Sequence, residues 1–453
     1  MLGKISIKDL YVRYRPILPD VITGLSSEFN FSGIIYLAGK GRVGKSTLLM
    51  CLSGVIPGVI AEISGELLIM GTNPTTTPLD RLCNTVRYIG PNPYSSIFGL
   101  TVEQEIDFLS SSKRKSMEVL GLMGIDHLLH RETDNLSGGE MVRLVLAGAL
   151  VSGSKVLLLD SPMQELDPQG RQEFLYALSI LRGNFEGSII ISDPFWPDVQ
   201  DITDQVIVME DGATLRTDIT KADFFSPSWL EQCNLLKNFS DYARITPGSV
   251  ISRMEGVHVT LGGNHILKGF DFNLREGELV VVAGANGSGK TTAMLTLANA
   301  IKWQKGTVET QGKVSYVFQH PQLQTVAPTI RKELELEPSI LEWDKARTEE
   351  FVDRTLDWLN LDPDICPLDI HPADRRLLMI GASSHSPILI LDEPTIDLDT
   401  KDTIKVLDFI QALRLGGTAV VLITHDHDLM ELANRVVMVS DGRVVDEYIP
   451  QEV

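Results

Sequence analysis

Two stretches of this sequence read alike, each an apolar strand, a glycine-rich loop and a helix: IIYLAGKGRVGKSTLLMCL near the start and ELVVVAGANGSGKTTAMLTL past the middle. Two further pairs follow in the same order. KVLLLDSPMQELD is answered by ILILDEPTIDLD, and VIVMEDGATL by VVMVSDGRVV. The spacing between copies is far longer than a solenoid repeat, so the chain is a duplicated domain. Its 453 residues are too many for one ordinary core and suit two. Within each half, β-rich apolar runs alternate with helical stretches, which predicts an α/β fold with a largely parallel sheet covered by helices. The first lobe is expected over residues 1–216, ending after the turn at Asp211-Gly212. Residues 217–250 mix helical periodicity with Pro, Ser and Gly and read as a linker, and the second lobe runs over 251–453.

The two loops are Gly39-Lys40-Gly41-Arg42-Val43-Gly44-Lys45-Ser46, continued by Thr47, and Gly284-Ala285-Asn286-Gly287-Ser288-Gly289-Lys290-Thr291, continued by Thr292. Both fit the phosphate-loop pattern. Glycines let the backbone curl so that its N–H groups face phosphate oxygens, and the following helix adds its positive end. Lys45 and Lys290 are placed to reach β- and γ-phosphates, and Ser46 and Thr291 to hold Mg²⁺. One such match alone is compatible with a tight strand–helix turn; two in strand–loop–helix context point to nucleotide binding. Arg42 stands where the second lobe has Gly287.

An aliphatic run ending in Asp is a buried parallel strand that delivers a carboxylate to the sheet's C-terminal edge, where ligands bind. Asp160 and Asp392 fit a Mg²⁺ role in this way. Glu393 follows Asp392 and is placed to act as general base toward water, whereas the first lobe has Ser161 there.

Composition narrows the class. A formal charge of −20 argues against a protein whose work is holding nucleic acid or anionic lipid. No apolar run approaches the roughly 20 residues needed to span a bilayer, and MLGKISIKDL lacks a signal peptide's apolar core, so a cytosolic chain is expected. Cys51, Cys83, Cys233 and Cys366 lie far apart and read as reduced thiols rather than a zinc site or disulfide framework.

Asn135-Leu136-Ser137-Gly138-Gly139-Glu140, ahead of MVRLVLAGAL, resembles the signature motif of ATP-binding-cassette proteins, and its place between a phosphate loop and a strand-end Asp makes the match specific. The resemblance covers nearly the whole chain and is closest to the ATPase subunits of energy-coupling-factor transporters in fused two-lobe form. LSGVIPGVIAEISGELLIMG, YVFQHPQLQTVAPTIRKELE and IGPNPYSSIFGLTVEQEI carry it. It implies ATP as substrate, Mg²⁺, and an antiparallel β subdomain and a helical subdomain on each P-loop core. It also implies a transmembrane coupling subunit and a small membrane protein that captures a vitamin or metal ion, with the chain at the cytoplasmic membrane face and transport inward. In this family Ser137, Gly138 and Gly139 close over the γ-phosphate held by the opposite lobe, so that two lobes make two composite sites.

The lobes are unequal. The second has Gln319 in the glutamine loop, Glu393 beside the magnesium acid and His425 in ITHD; the first has Pro91, Ser161 and Asp193. The signature is split the other way, intact in the first lobe and replaced in the second by Ile370-His371-Pro372-Ala373-Asp374. Combined across lobes, everything consensual falls into one site, in which Gln319 and Thr291 join Asp392 at the metal, and everything degenerate into the other. Asp374 puts a carboxylate where an anion site needs positive potential. The expectation is one hydrolytic and one degenerate site. Tyr14, with Tyr11 as alternative, is the candidate for stacking on adenine in the first lobe, although a plain strand tyrosine is an equal reading; Leu261 stands there in the second. A rival is a soluble tandem cassette acting on ribosomes or in DNA repair. The sequence has none of the cationic arm, iron–sulfur cysteine cluster or zinc pairs that go with that role. A non-hydrolytic regulatory cassette is disfavoured by Glu393 and His425.

Overall fold

In a computed structural model, each of the aliphatic runs forms a strand with every residue buried: Ile34–Ala38, Val156–Asp160 and Ser188–Ser192 in the first half, Leu279–Ala283, Ile388–Asp392 and Ala419–Ile423 in the second. Burial on both faces is what a strand inside a helix-covered parallel sheet requires. The structure describes all residues except 1–2, 16–18, 57–60, 111, 165, 194–198, 227, 230–241, 243, 397 and 451–453, and only the backbone at 93 and 94. The chain divides into two compact units, Met1–Leu236 and Lys237–Val453.

The first unit contains β1 (Gly3–Arg13), β2 (Ile22–Phe31), β3 (Ile34–Ala38), β4 (Glu62–Ile69), β5 (Val86–Ile89), β6 (Val156–Asp160), β7 (Ser188–Ser192), β8 (Gln205–Glu210) and β9 (Thr214–Arg216). They form an antiparallel sheet of order β2-β1-β4 and a six-stranded sheet of order β5-β6-β7-β3-β8-β9, parallel except for β9. The second unit contains β10 (Val250–Leu261), β11 (Asn264–Arg275), β12 (Leu279–Ala283), β13 (Lys305–Thr310), β14 (Val314–Val317), β15 (Ile388–Asp392), β16 (Ala419–Ile423), β17 (Arg435–Ser440) and β18 (Arg443–Tyr448). Its sheets, β11-β10-β13 and β14-β15-β16-β12-β17-β18, repeat the same topology strand for strand. The duplication seen in sequence is thus a duplication of fold.

Each parallel sheet separates two apolar clusters. Ile34, Tyr36 and Ala38 of β3 face the helix Gly138–Ser152, while Ile35 and Leu37 face the antiparallel sheet and the helix Lys45–Ser53. Leu279, Val281 and Ala283 of β12 alternate with Val280 and Val282 in the same way. The helical subdomains carry a shared device. In the first lobe the carboxylate of Glu105, in the helix Val102–Leu109, accepts the N–H groups of Phe98 and Gly99 at 2.8 Å each. In the second, Glu333, in the helix Ile330–Ile340, accepts those of Val326 at 3.0 Å and Ala327 at 2.7 Å. Both carboxylates are buried and charge-assisted bonds of this kind fix the loop in front of each helix.

After β9, still in the first unit, the short helix Lys221–Phe224 packs Phe224 edge-on against Tyr36, with ring centroids 5.8 Å apart. Tyr242 donates to Asp408 at 2.8 Å in the second. Among the described residues no helix is long and apolar enough to cross a membrane. Cys51, Cys83 and Cys366 are free thiols, with that of Cys51 pushed up to about 12 by burial; Cys233 lies outside the described residues.

Candidate functional site

Both phosphate loops leave the C-terminal end of a central parallel strand, β3 or β12, and enter a helix, Lys45–Ser53 or Lys290–Leu297. The glycines are structural necessities. Gly39 has φ 149° and Gly284 φ 142°, and a Cβ would stand 2.6 Å from the carbonyl oxygen of Met209 in the first case and 2.0 Å from that of Val439 in the second. Gly44 and Gly289 cap the helices at φ 98° and 103°. Arg42 takes φ 65°, the left-handed conformation that Gly287 takes at 77°, at a cost on the order of 1–2 kcal/mol for a residue with a side chain. Lys45 Nζ donates to the carbonyls of Gly39 at 2.7 Å and Lys40 at 2.8 Å; Lys290 Nζ donates to those of Gly284 at 2.5 Å and Ala285 at 3.0 Å. The ammonium group therefore sits inside the curl of each loop. The Ser288 N–H bonds the Ala285 carbonyl at 3.1 Å and anchors the second loop from within, while Val43 buries its side chain in the core beneath the first.

The acids meet these loops from neighbouring strand ends. Ser46 Oγ donates to Asp160 Oδ1 at 3.0 Å, and Thr291 Oγ1 to Asp392 Oδ2 at 3.2 Å. Each acid also accepts a phenolic hydrogen from the first strand of the sheet order: Tyr88 to Asp160 at 2.9 Å, Tyr316 to Asp392 at 2.7 Å. Burial pushes the Asp392 carboxyl up, opposed by the Tyr316 and Thr291 hydrogen bonds and by the charges of Lys290 and Arg376. Asp392 is paired in register with Ile423, so Glu393 falls beside Thr424 and His425. Glu393 has φ 47°, its N–H bonds the Ile423 carbonyl at 2.8 Å, and its carboxylate accepts Thr424 Oγ1 at 3.0 Å. His425 Nε2 lies 3.9 Å from Glu393 Oε1. Burial pushes Glu393 up to about 7, against the Thr424 bond and with the neighbouring Asp392 charge. A carboxylate tuned there is matched to general-base work near neutral pH.

The corresponding turn in the first lobe keeps the backbone and has a hydroxyl where the second has a carboxylate. Ser161 has φ 49° and its N–H bonds the Ser192 carbonyl at 2.5 Å, the same turn as at Glu393. Asp193 is buried, with Oδ2 accepting the Met163 N–H at 3.0 Å and its carbonyl accepting the Tyr36 hydroxyl at 2.7 Å, so its carboxylate is committed to holding chain. Ser137 caps the helix Gly138–Ser152 in a reciprocal box: its Oγ accepts the Glu140 N–H at 3.3 Å and Glu140 accepts the Ser137 N–H at 2.7 Å. A Cβ on Gly139 would stand 2.0 Å from Glu173 Oε2, so any larger residue there would have to displace that carboxylate. In the second lobe His371 caps the helix Pro372–Ala382 through Nδ1, which accepts the Ala373 N–H at 3.2 Å. Pro372 supplies no N–H where Gly138 has one, and Asp374 lies in the first turn. Tyr14 is half-buried against the core with its hydroxyl 3.0 Å from Thr47 Oγ1, which sets its ring beside the phosphate-loop helix; Tyr11 and Leu261 are exposed.

The sequence profile of the ABC transporter family matches residues 22–164 and 267–396, more than half of the chain. The chain belongs to this family. An Enterococcus faecalis protein with the name of an ABC transporter ATP-binding protein is 25% identical over 485 residues, spanning 92% of this chain and 85% of that protein. A Saccharolobus solfataricus protein of the same kind of name is 27% identical over 510 residues, spanning 99% and 94%. Among solved structures, an archaeal ribosome recycling factor, aABCE1, in complex with the ribosomal stalk protein aP1 matches at TM-score 0.64 and 18% identity, covering 97% of this chain and 90% of that one. An RNase-L inhibitor matches at TM-score 0.62 and 18% identity, covering 98% and 90%. At such identities these two structures speak to the fold alone.

This tandem ABC chain is therefore an ATPase whose two domains bind ATP. Each ABC lobe brings one hydroxyl and one carboxylate oxygen together at the loop, an all-oxygen pair that fits Mg²⁺. Among the described residues no three His, Cys, Asp or Glu cluster as a metal site. Sequence reasoning missed Tyr88 and Tyr316, although each stands three residues ahead of the glutamine-loop position, Pro91 or Gln319, a match the internal repeat could have exposed. It also missed Thr424 and Arg376. Gln319 lies two residues beyond the end of β14, and its backbone carbonyl accepts Arg376 Nη2 at 2.9 Å.

Proposed function

We propose that the chain is the ATP-hydrolysing subunit of an energy-coupling-factor importer for a vitamin or metal ion, held at the cytoplasmic membrane face by its membrane partners, with one hydrolytic and one degenerate site. What carries the hydrolytic reading is the second lobe's convergence of Lys290, Thr291, Asp392, Glu393 and His425 on one loop, against Ser161 and a buried, committed Asp193 in the first. In the second lobe, the loop N–H groups and Lys290 hold the β- and γ-phosphates. The ionised Glu393 accepts a proton from the attacking water while Thr424 keeps its carboxylate oriented. His425 stands beside Glu393, and Thr291, Gln319 and Asp392 would hold Mg²⁺, which would neutralise phosphate charge when bound. By the family resemblance, Ser137, Gly138 and Gly139 of the first lobe serve that same nucleotide, and the first lobe's loop, with Ser46 and Asp160, belongs to the degenerate site.

The membrane partner is supported by a matched pair of apolar projections. Phe98 and Val326, held at their N–H groups by Glu105 and Glu333, are each 74% exposed, close behind the glutamine-loop positions of their lobes. Phe108 stands beside Phe98, with ring centroids 6.0 Å apart, and is exposed as well. Large apolar side chains pinned outward mark an interaction site, and helices of a transmembrane coupling subunit are the occupants proposed. The test is binding of the purified chain to salt-stripped membrane vesicles from its source. Saturable binding, lost on protease treatment of the vesicles and weakened by Phe98→Asp with Phe108→Asp, is expected. Sedimentation with ribosomes at physiological salt, with no such vesicle binding, overturns the transporter reading in favour of a soluble role.

A further inference from the structure

The first lobe's phosphate loop has two more positive charges than the second's. The loops align without a gap, Gly39 on Gly284 through Ser46 on Thr291, so that Lys40 stands for Ala285 and Arg42 for Gly287. Lys40, Arg42 and Lys45 thus occupy a curl in which the second lobe has Lys290 alone. The acids do not offset the difference: Asp160 and Asp193 stand at the first site, Asp392 and Glu393 at the second.

The two loops share one backbone. Arg42 takes φ 65° where Gly287 takes 77°, and Lys45, like Lys290, donates to two loop carbonyls, one of them that of Lys40. Lys40 is therefore part of the turn that surrounds the ammonium group, with Arg42 two residues on, and both are exposed. Packing does not select these side chains. A Cβ at Gly287 meets nothing within 4 Å, so this place in the loop has room for a side chain without calling for a cation.

Charges placed only for solvation are the competing explanation, and the backbone speaks against it. Arg42 lies in the left-handed region, which glycine alone enters without strain, and a cation meant for water gains nothing from that position. Three like charges in one short loop also repel one another, and an anion bound among them relieves the repulsion.

We propose that Lys40 and Arg42 let the first lobe bind nucleoside triphosphate that has no metal ion, by supplying the positive charge that the second lobe's site takes from Mg²⁺. The planar fork of Arg42 suits two phosphate oxygens, and Lys40 adds a point charge. Ser46 and Asp160 still fit Mg²⁺, which adds to this binding without being required for it. The proposal rests on the reading of the first lobe's site as the one without turnover.

The test uses the full chain and the photoaffinity probe 8-azido-ATP. Labelled peptides of each lobe are quantified across a nucleotide titration in EDTA and again in Mg²⁺, so that each lobe is compared with itself. In the parent, half-saturation of the first lobe in EDTA should lie within about threefold of its Mg²⁺ value, while that of the second should rise about tenfold or more. Lys40→Ala with Arg42→Gly gives the first loop the residues with which the second one folds. It should weaken first-lobe labelling in EDTA about tenfold or more, with a smaller change in Mg²⁺. Arg42→Lys keeps the charge and should stay within about threefold of the parent in EDTA. Arg42→Asn suits left-handed backbone without a charge and should not. If the double variant fails to fold, Arg42→Asn decides. Equal dependence on Mg²⁺ in the two lobes overturns the proposal, as does metal-free labelling that survives loss of the charges within about twofold. Equal weakening by Arg42→Lys and Arg42→Asn overturns it too, since shape rather than charge would then decide. Turnover by the first lobe in a Lys290→Ala chain overturns the non-hydrolytic reading, an outcome separate from the labelling in EDTA.

Discussion

Tyr316 donates its phenolic hydrogen to Oδ2 of Asp392 at 2.7 Å, and Tyr88 does the same to Asp160 at 2.9 Å. Burial and the adjacent carboxylate push both phenols well above their ordinary range, so each stays protonated and remains a donor. A bond of this kind orients the carboxylate that faces the phosphate loop, and loss of such supporting partners typically costs 10–100-fold in metal affinity. Tyr316→Phe should raise the Mg²⁺ concentration giving half-maximal hydrolysis about tenfold, with kcat at saturating Mg²⁺ within a few fold of the parent. Tyr88→Phe should leave steady-state hydrolysis nearly unchanged, since it serves the degenerate site. A Mg²⁺ titration of hydrolysis checks both, and an unshifted curve for Tyr316→Phe removes that residue from the role.

The proposed role of Glu393 as base makes a demand on the acid side of the rate profile. Its carboxyl is pushed up to about 7, and the base is competent only when ionised, so kcat should fall as pH drops through about 7. Thr424 opposes that shift by donating to the ionised form. Thr424→Val removes the donor and favours the neutral acid, so the falling limb should move to higher pH by about one unit. ATP's own ionisation is the same in both proteins and drops out of the comparison. Glu393→Gln should lower kcat about 10²–10⁴-fold with ATP binding intact. A limb that stays in place in Thr424→Val, or rises at lower pH, contradicts the assignment.

Much of this was legible in the sequence because the signals were local. Aliphatic runs ending in Asp gave the strand ends, and the glycines at 39, 44, 284 and 289 gave loops whose backbone angles and close approaches leave no alternative. The duplication gave the matched topology of the two units. The residues that escaped act through tertiary contact. Tyr316 looks like any strand aromatic until β14 is set beside β15, which brings its hydroxyl to Asp392. Arg376 reads as a charged residue on a helix face, and only folding reveals that the face is buried against two turns from distant parts of the chain. Glu105 and Glu333 read as ordinary surface acids; their burial, and the N–H groups they hold, depend on the loop that folds back over them.

The second lobe also has a buried ion pair whose loss should be felt in stability alone. Arg435 Nε meets Glu278 Oε1 at 2.7 Å, with the side chains 10% and 4% exposed, and Nη1 meets the half-exposed Glu447 at 2.8 Å. Arg435→Met leaves the Glu278 carboxylate buried without its cation, which typically costs about 3–5 kcal/mol. Glu447→Gln removes the solvent-facing half and should cost about 1 kcal/mol or less. Urea unfolding should show the second lobe's transition moving to lower urea in the first variant and hardly at all in the second. Equal shifts in the two would mean that the exposed half matters as much as the buried one.

The inequality of the two lobes sets the sharpest test. Lys45 and Lys290 lie in loops of the same backbone, each ammonium bonded to two loop carbonyls, so their local geometry gives no reason for one to matter more. The difference lies in the companions: Glu393 and His425 stand with Lys290, Ser161 and Asp193 with Lys45. Lys290→Ala should therefore abolish hydrolysis, whereas Lys45→Ala should leave a substantial residual rate. The proposed pairing of the first lobe's signature with the second lobe's nucleotide makes a further demand. Ser137→Arg should stop hydrolysis as fully as Lys290→Ala, because bulk at that cap blocks approach to the γ-phosphate. His371→Arg, at the corresponding cap, should be tolerated. The double variant Ser137→Arg with Lys290→Ala should be no worse than either alone, since a catalytic unit already disabled loses nothing more. If Lys45→Ala proves as damaging as Lys290→Ala, trapping of labelled nucleotide in the Lys45→Ala protein separates two causes. Nucleotide trapped at the second lobe's loop without turnover means that the degenerate site must be filled for the cycle to proceed. Loss of trapping together with turnover means that both loops hydrolyse, and the asymmetry argued from Ser161 and Asp193 fails. Full hydrolysis by the Ser137→Arg protein removes the cross-lobe pairing while leaving the Lys290 assignment intact.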